Sequence, residues 1–270
     1  MKVSIVTPSY GQGRFIRATI DSVLSQQGAQ IEYFVMDGGS KDETVDVLKS
    51  YGDRLHWVSE GDKGQTDAIN KGMRLATGDI VAYLNSDDVY QPGAIAKVVE
   101  IFERHPEVDF VYGDFHAINE DGGLIDKVLT IPFDPEILLY DANFICQPAS
   151  FYRRSLLDKI GLFDDSLRFL MDYEFFLRAA KRGVRFQMIP QALASIRFHG
   201  ACKTLSDGVH PWQDERKLII AEYARPKARH PSAMKLLGWI YRAKRYARLI
   251  GRGRLDFANI RLARRLREIA

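Results

Sequence analysis

From Val3 to Tyr112 the chain alternates two hydrophobic periods. Short apolar runs at Val3–Thr7, Ile31–Met36, Leu55–Ser59, Ile80–Leu84 and Val108–Tyr112 have the length and composition of strands. Between them, Phe15–Gln26, Thr44–Tyr51, Asp67–Ala76 and Pro92–Arg104 read as helices, the first with apolar residues at Phe15, Ile16, Ile20, Val23 and Leu24. Thr77-Gly78 ends the third helix, and Pro92 is expected at the first turn of the fourth. This alternation predicts an α/β fold with a mostly parallel sheet covered by helices. Ligands in such sheets bind beyond the carboxyl ends of the strands. Tyr10, Asp37, Glu60-Gly61-Asp62 and Ser86-Asp87-Asp88 all fall at those ends, so four polar clusters are expected to face one crevice.

The pattern then becomes less regular. Gly113–Ile131 reads as a hairpin or a loop, Asp134–Tyr140 as a short helix, Ala149–Tyr152 as a strand and Arg153–Ile160 as a helix ending at Gly161. Asp172–Arg182 is a predicted helix with Gly183 just past its end. Two strands, Val184–Ile189 and Ala192–Phe198, follow, and from Trp212 onward the spacing is helical. No internal repeat or low-complexity segment interrupts the chain.

Charge changes this picture at the end of the chain. The whole sequence carries +3, but residues 234–270 hold eleven Lys and Arg against Asp256 and Glu268, a local +9 that leaves −6 on the remainder. A mildly acidic body argues against a nucleic-acid partner, and the basic tail suits a local anionic one. Cys146 and Cys202 lack a CxxC spacing and are expected as free thiols. The chain opens directly on a strand pattern rather than a leader pattern, and no apolar run is long enough to span a bilayer, so a cytoplasmic location is expected.

The chemistry concentrates at Asp87-Asp88, where an apolar strand leaves the sheet. Adjacent carboxylates in a dry setting call for a positive partner, and a divalent cation carrying phosphate oxygens suits hard oxygen ligands. A polar turn is the alternative. Gly11-Gln12-Gly13 between a strand and a helix invites a dinucleotide-binding reading, but Ile16 stands where the third glycine belongs, and no P-loop is present.

Several blocks taken together resemble family 2 glycosyltransferases of the GT-A fold. They are Val3-Ser4-Ile5-Val6-Thr7-Pro8-Ser9-Tyr10, Ile20–Gln26, Val35-Met36-Asp37-Gly38-Gly39-Ser40 through Thr44, Asp62-Lys63-Gly64-Gln65-Thr66-Asp67 through Gly72, and Ala76–Ile80 running into Leu84–Asp88. Gln147–Ser155, Gly161-Leu162-Phe163-Asp164 and Met171-Asp172-Tyr173-Glu174 extend the resemblance over roughly residues 2–205.

The resemblance implies an inverting, metal-dependent transfer of a sugar from a nucleoside-diphosphate donor, a UDP-sugar by preference, to a hydroxyl acceptor. The setting it implies is the synthesis of surface polysaccharide or glycolipid, with a saccharide or lipid-linked acceptor. Thr7, Pro8, Tyr10 and Asp37 would hold the nucleotide base, with Asp62 and Lys63 nearby; a turn role is the other reading of Asp37. Asp88, Asp87 and His199 would ligate Mn2+ or Mg2+, with Asp87 also able to contact the ribose and Ser86 in place of the first acid of the family's DXD-type motif. Asp172 matches the general base, where the family usually reads Glu-Asp and this chain has Met171-Asp172, and Glu174 is its rival. Gln147 and Arg168 would line the sugar or acceptor side, and Arg197 and Lys203 would contact phosphates.

The expected organisation is a catalytic domain over 1–210, with a nucleotide-binding half at 1–113 and an acceptor half at 114–210, followed by a basic helical extension at 211–270. In that extension Leu236, Trp239, Ile240, Ala243, Tyr246 and Ile250 share one side, and Lys235, Arg242, Arg245, Arg248 and Arg252 the other. Such a helix either docks on an anionic membrane surface, making the protein peripheral on the cytoplasmic face, or packs on the domain with a solvated basic face. A sugar nucleotidyltransferase and a non-catalytic nucleotide-sugar binding module are the competing functions.

Overall fold

The computed structural model of the chain describes residues 1–200, 202 and 212–253. Lys203 and the tail beyond Gly253, on which two of the expectations fall, lie outside the described residues. The elements in order are β1 (Lys2–Ser9), α1 (Gly13–Leu24), β2 (Gln30–Asp37), α2 (Thr44–Lys49), β3 (His56–Ser59), α3 (Gln65–Leu75), β4 (Ile80–Tyr83), β5 (Val89–Tyr90), α4 (Ala94–Arg104), β6 (Phe110–Ile118), β7 (Leu124–Val128), α5 (Pro135–Tyr140), β8 (Ser150–Arg153), α6 (Arg154–Ile160), α7 (Met171–Lys181), β9 (Phe186–Arg197), α8 (Trp212–Tyr223) and α9 (Pro231–Gly251). Nine strands make one mixed sheet in the order β3-β2-β1-β4-β8-β6-β9-β5, with β7 paired to β6. β1 pairs in parallel with β2 and β4, β2 with β3, and β6 with β9, while β8, β7 and β5 pair antiparallel to their neighbours.

The first strands are apolar throughout because both of their faces are covered. Val3 and Ile5 of β1, Tyr33 and Val35 of β2, and Ile80 and Ala82 of β4 pack with α1, α2 and α4. The intervening Val6, Phe34, Met36, Val81 and Tyr83 pack on the opposite face with residues of α3, α5, α6 and α7. Parallel register aligns Ser9 with Asp37 and Asp37 with Ser59, so the polar residues ending β1, β2 and β3 stand side by side.

Three elements depart from the sequence reading. Of the two alternatives for Gly113–Ile131, a hairpin forms, but β6 already includes Gly113 and runs on to Ile118. Gly113 marks a close approach rather than a loop, since a Cβ there would lie 2.6 Å from the Leu193 side chain and 2.8 Å from the Gln191 carbonyl oxygen. The two strands expected at Val184–Ile189 and Ala192–Phe198 are one, because the register steps from Gly113↔Ile189 to Asp114↔Ala192 and the bulge absorbs Pro190 and Gln191. Pro92 precedes α4 rather than opening it; Gly93, at φ +75°, is the cap residue, a conformation open to glycine.

The carboxyl-terminal helices share the core of the catalytic body. Ile219, Ala224 and Ala228 are buried within the same cluster as α7, and Met234, Leu237 and Tyr241 of α9 pack against it. Tyr241 stacks on Tyr140 with ring centroids 5.7 Å apart. Beyond Tyr241 the inward side of α9 turns cationic. Arg245 Nε donates to Asp141 at 2.6 Å, Arg248 and Lys244 reach Asp134 at 2.8 and 2.6 Å, and Arg252 makes a two-pronged pair with Asp114 at 2.7 and 2.8 Å. Burial alone would raise Asp134, but Lys244, the backbone N–H of Ile137 and Arg248 outweigh it and hold the carboxyl below its usual range. The helix therefore packs on the domain, as one of the two expected alternatives had it, but much of its basic side faces acids of the body rather than solvent. Arg245 is buried, whereas Leu236, Trp239, Ile240 and Ile250 are 50–65% exposed.

Candidate active site

At the ends of β1 to β3, Tyr10 presents its ring to solvent, 71% exposed. Gly38 lies directly beneath it: a Cβ there would stand 3.3 Å from the Tyr10 ring and 2.7 Å from the Asp62 carboxylate, so Tyr10, Gly38 and Asp62 form one surface. Asp62 is braced by the Gly64 N–H at 2.7 Å, and Lys63 is exposed, its backbone N–H donating to Asp67 at 3.1 Å. Asp37 is buried and occupied by its own turn. One of its oxygens accepts the Ser40 N–H (2.9 Å) and the Ser59 hydroxyl (2.6 Å), and the other accepts the Ser40 hydroxyl (2.5 Å). That is the turn role its flanking glycines allowed. The Thr7 hydroxyl pairs with Tyr33 at 3.0 Å inside the core and Pro8 is buried in β1, so of the expected base-binding side chains Tyr10 and Asp62 are those that meet at the surface.

Beyond β4 the chain turns sharply and Asp87 and Asp88 diverge. Asp88 is buried, its oxygens accepting the Arg197 backbone N–H at 3.0 Å and the Asn85 amide at 3.1 Å. Burial first, and the charge of Asp87 second, push its carboxyl well above the usual range. Thr19 of α1 holds the Asp88 carbonyl at 2.7 Å. Asp87 meets His199 Nε2 at 3.0 Å, and the imidazole rests on Phe15 with centroids 4.5 Å apart. β9 thus returns His199 to the Asp87 turn as the sequence anticipated. Arg197, expected at a phosphate, is engaged with backbone on this turn. Its guanidinium donates to the carbonyls of Asp87 and Glu120, each at 2.9 Å, and so braces the turn from behind.

A divalent cation fits this corner by donor type. Two adjacent carboxylates and an imidazole are oxygen and nitrogen ligands acceptable to Mn2+ or Mg2+, and burial of one acid beside another is what a cation relieves. Among the described residues, however, no three His, Cys, Asp or Glu side chains already gather as a metal-holding group.

Asp172 opens α7, half-buried, with the Tyr173 N–H on its carboxylate at 2.7 Å. Burial raises it to about 6, against the opposing pull of its hydrogen bonds. Tyr83 and Cys146 are raised by burial first, and the charges of both Asp88 and Asp172 add to it, so carboxylates from two distant segments act on the same pair of side chains. Gln147 lies beside them, its amide fixed to the Tyr83 carbonyl at 2.6 Å. Glu174 is separated from Asp172: it faces away to Tyr223 (2.5 Å) and Arg178 (2.9 Å), which corrects its standing as a rival base and as an acceptor-side group.

How the segment before Asp172 is held is not legible in the sequence. Asn70 of α3 makes reciprocal bonds to the Phe163 N–H (3.1 Å) and carbonyl (2.8 Å), and Thr66 donates to the Leu167 carbonyl at 3.1 Å. From the other side, Glu215 of α8 accepts three successive backbone N–H groups, Arg168, Phe169 and Leu170, at 2.7, 2.9 and 2.8 Å. α7 has no side-chain cap of its own, and the three N–H groups that Glu215 accepts precede its first turn, so Glu215 fixes the turn that leads into α7 rather than capping it. Arg168, expected on the sugar side, is exposed on this clamped turn. Polarity at Asn70 and Glu215 was visible in the sequence; their partners, remote along the chain, were not.

Comparison with known proteins matches this architecture. The family model described as Glycosyl transferase family 2 covers residues 4–161. A PGL/p-HBAD biosynthesis glycosyltransferase of Mycobacterium bovis is 34% identical over 183 residues, 65% of this chain and 68% of that protein. Among solved structures, Staphylococcus aureus TarS 1–349 in complex with UDP-GlcNAc superposes with a TM-score of 0.63 at 19% identity, covering 86% of this chain and 73% of that one. The chain spans 43% of the longer TarS chain. The mannosyltransferase PcManGT from Pyrobaculum calidifontis, in complex with GDP-Man and Mn2+, gives 0.59 at 18% identity, with coverage of 98% and 82%.

Proposed function

The chain belongs to glycosyl transferase family 2, and from that membership we propose that it moves a sugar, with inversion, from a nucleoside-diphosphate donor to an acceptor hydroxyl deprotonated by Asp172. The observation that carries this reading is the Asp172 carboxylate, raised to about 6 by burial and close enough to the Asp88 end of the sheet that the charges of both carboxylates bear on Cys146. A base titrating near working pH combines an available charged form with useful proton affinity. Tyr10 stacks the base of the donor, and Asp62 meets the nucleoside beside it. Asp87, Asp88 and His199 would hold Mn2+ or Mg2+, which supplies positive charge to the leaving diphosphate. A UDP-sugar is the favoured donor, supported by the TarS complex with UDP-GlcNAc, and the Mn2+ in the mannosyltransferase complex supports the cation. A saccharide or lipid-linked acceptor is supported by the naming of the mycobacterial relative for PGL/p-HBAD biosynthesis.

The donor is identified first, by thermal shift with UDP, GDP, CDP and dTDP in the presence of Mn2+, where stabilisation by one nucleotide names the base. Asp172→Asn is then expected to lower turnover by about 10²–10⁴-fold while that shift is unchanged. For the unmutated enzyme kcat/KM falls as pH drops through about 6, because protonation removes the base. Turnover surviving in Asp172→Asn would remove the assignment.

A further inference from the structure

We infer that the outer face of α9 is a docking surface for an anionic membrane. Leu236, Trp239, Ile240, Ala243, Ala247 and Ile250 follow one another at helical spacing, and all six are exposed. Leu236, Trp239, Ile240 and Ile250 keep 62, 65, 50 and 55% of their surface in water. Their side chains form a single stripe about 21 Å long at 1.5 Å per residue. A helix on a water-soluble body normally turns such a stripe inward. Here the inward side is filled instead by Met234, Leu237 and Tyr241 and then by the arginines paired with Asp141, Asp134 and Asp114. Those three acids fix the rotation of α9 about its axis and with it the outward direction of the stripe.

Charge identifies the partner. α9 contains no Asp or Glu; Lys235 is exposed beside the stripe, and Arg242 and Lys244, with side chains 53 and 47% exposed, stand at its borders while also pairing with Asp141 and Asp134, so the cations of α9 together with Arg252 outnumber the three acids Asp141, Asp134 and Asp114 that they meet. A tryptophan and branched apolar side chains bordered by cations match the boundary between acyl chains and anionic headgroups. No helix among the described residues is long and apolar enough to cross a membrane, so the contact is in the plane of the surface.

Co-flotation of the full chain with vesicles tests this without any sugar transfer, so the result stands apart from the assignment of Asp172. Vesicles of phosphatidylglycerol and phosphatidylcholine should carry the protein at 100 mM salt, and pure phosphatidylcholine should carry at least tenfold less. Trp239→Ser/Ile240→Ser should lose about tenfold or more of the anionic binding with an unchanged melting temperature. If that pair disturbs folding, Leu236→Ser/Ile250→Ser replaces it. Absence of binding by the unmutated chain, equal binding to both vesicle types, or undiminished binding by a folded variant would each overturn the proposal. So would a dimer in light scattering that the double variant converts to monomer, since a second copy would then own the face.

Discussion

The first and last long helices among the described residues are both amphipathic, and the protein uses them in opposite senses. α1 buries Phe15, Ile16, Thr19, Ile20 and Val23 against the sheet. α9 buries Arg245 and leaves Trp239 in water. A periodic pattern establishes that a helix has two unlike sides; the surface it meets decides which one turns inward. α1 meets Val3, Ile5 and Val35, all apolar. α9 meets α5, whose two ends carry Asp134 and Asp141, and Asp114 on β6. An acid at the carboxyl end of a helix opposes the dipole there, so Asp141 gains doubly from the Arg242 and Arg245 guanidiniums.

The contrast is largest in stability. Ile20 is fully buried, and Ile20→Ala should lower unfolding free energy by about 4 kcal/mol through lost burial and a residual cavity. Urea titration of Ile20→Ala beside Leu236→Ala is the direct comparison. Equal losses in the two would mean that the outer face of α9 is covered and that the contrast is false.

Next comes the ionic side of α9. Arg252→Ala strands Asp114, whose side chain is only 6% exposed, and should cost about 3 kcal/mol. Arg252→Ala/Asp114→Asn should recover much of that loss, because the uncompensated charge rather than the missing pair dominates it. A single variant as stable as the parent would show that the Arg252–Asp114 pair contributes nothing to holding α9.

The same contrast explains what could be read from the chain. Short continuous apolar runs and period-3.6 patterns located β1 to β4 and α1 to α4, because each of those elements meets an apolar surface and its sequence states its own burial. Tyr10, Asp37, Asp62, Asp87 and Asp88 were placed at strand ends by the same logic, since parallel strands deliver their carboxyl ends together. His199 was placed at the Asp87 turn by resemblance, and the structure brings the two to 3.0 Å. The sequence could not show β9 passing Pro190, because the bulge that admits it depends on β6. Nor could it assign the hydroxyl of Thr7 to Tyr33 or the carboxylate of Glu174 to Tyr223, since a polar side chain does not announce which neighbour it will satisfy.

Glu215 crosses the boundary between the two regions, and its removal sharpens the comparison. If the carboxyl-terminal helices serve only as a docking face, Glu215→Ala should leave catalysis alone. The three N–H groups it accepts predict otherwise. Freeing the 168–170 turn should loosen the start of α7 and lower kcat about tenfold, equivalent to about 1.4 kcal/mol, with donor KM unchanged. Glu215→Gln, which keeps one acceptor oxygen, should recover part of it. Unaltered kcat in Glu215→Ala would confine the extension to a role outside the catalytic step.

The smallest expected effect is the most discriminating for α9. Trp239→Ser removes the bulkiest side chain of the outer face, yet Trp and Ser have similar helix propensities, and the ring is 65% exposed. Unfolding free energy should therefore move by no more than about 0.5 kcal/mol in either direction. Such a result means that the folded protein gains little from this tryptophan in water, as a side chain reserved for another surface requires. A loss comparable to that of Ile20→Ala would instead place Trp239 in the core and return α9 to the ordinary behaviour of α1.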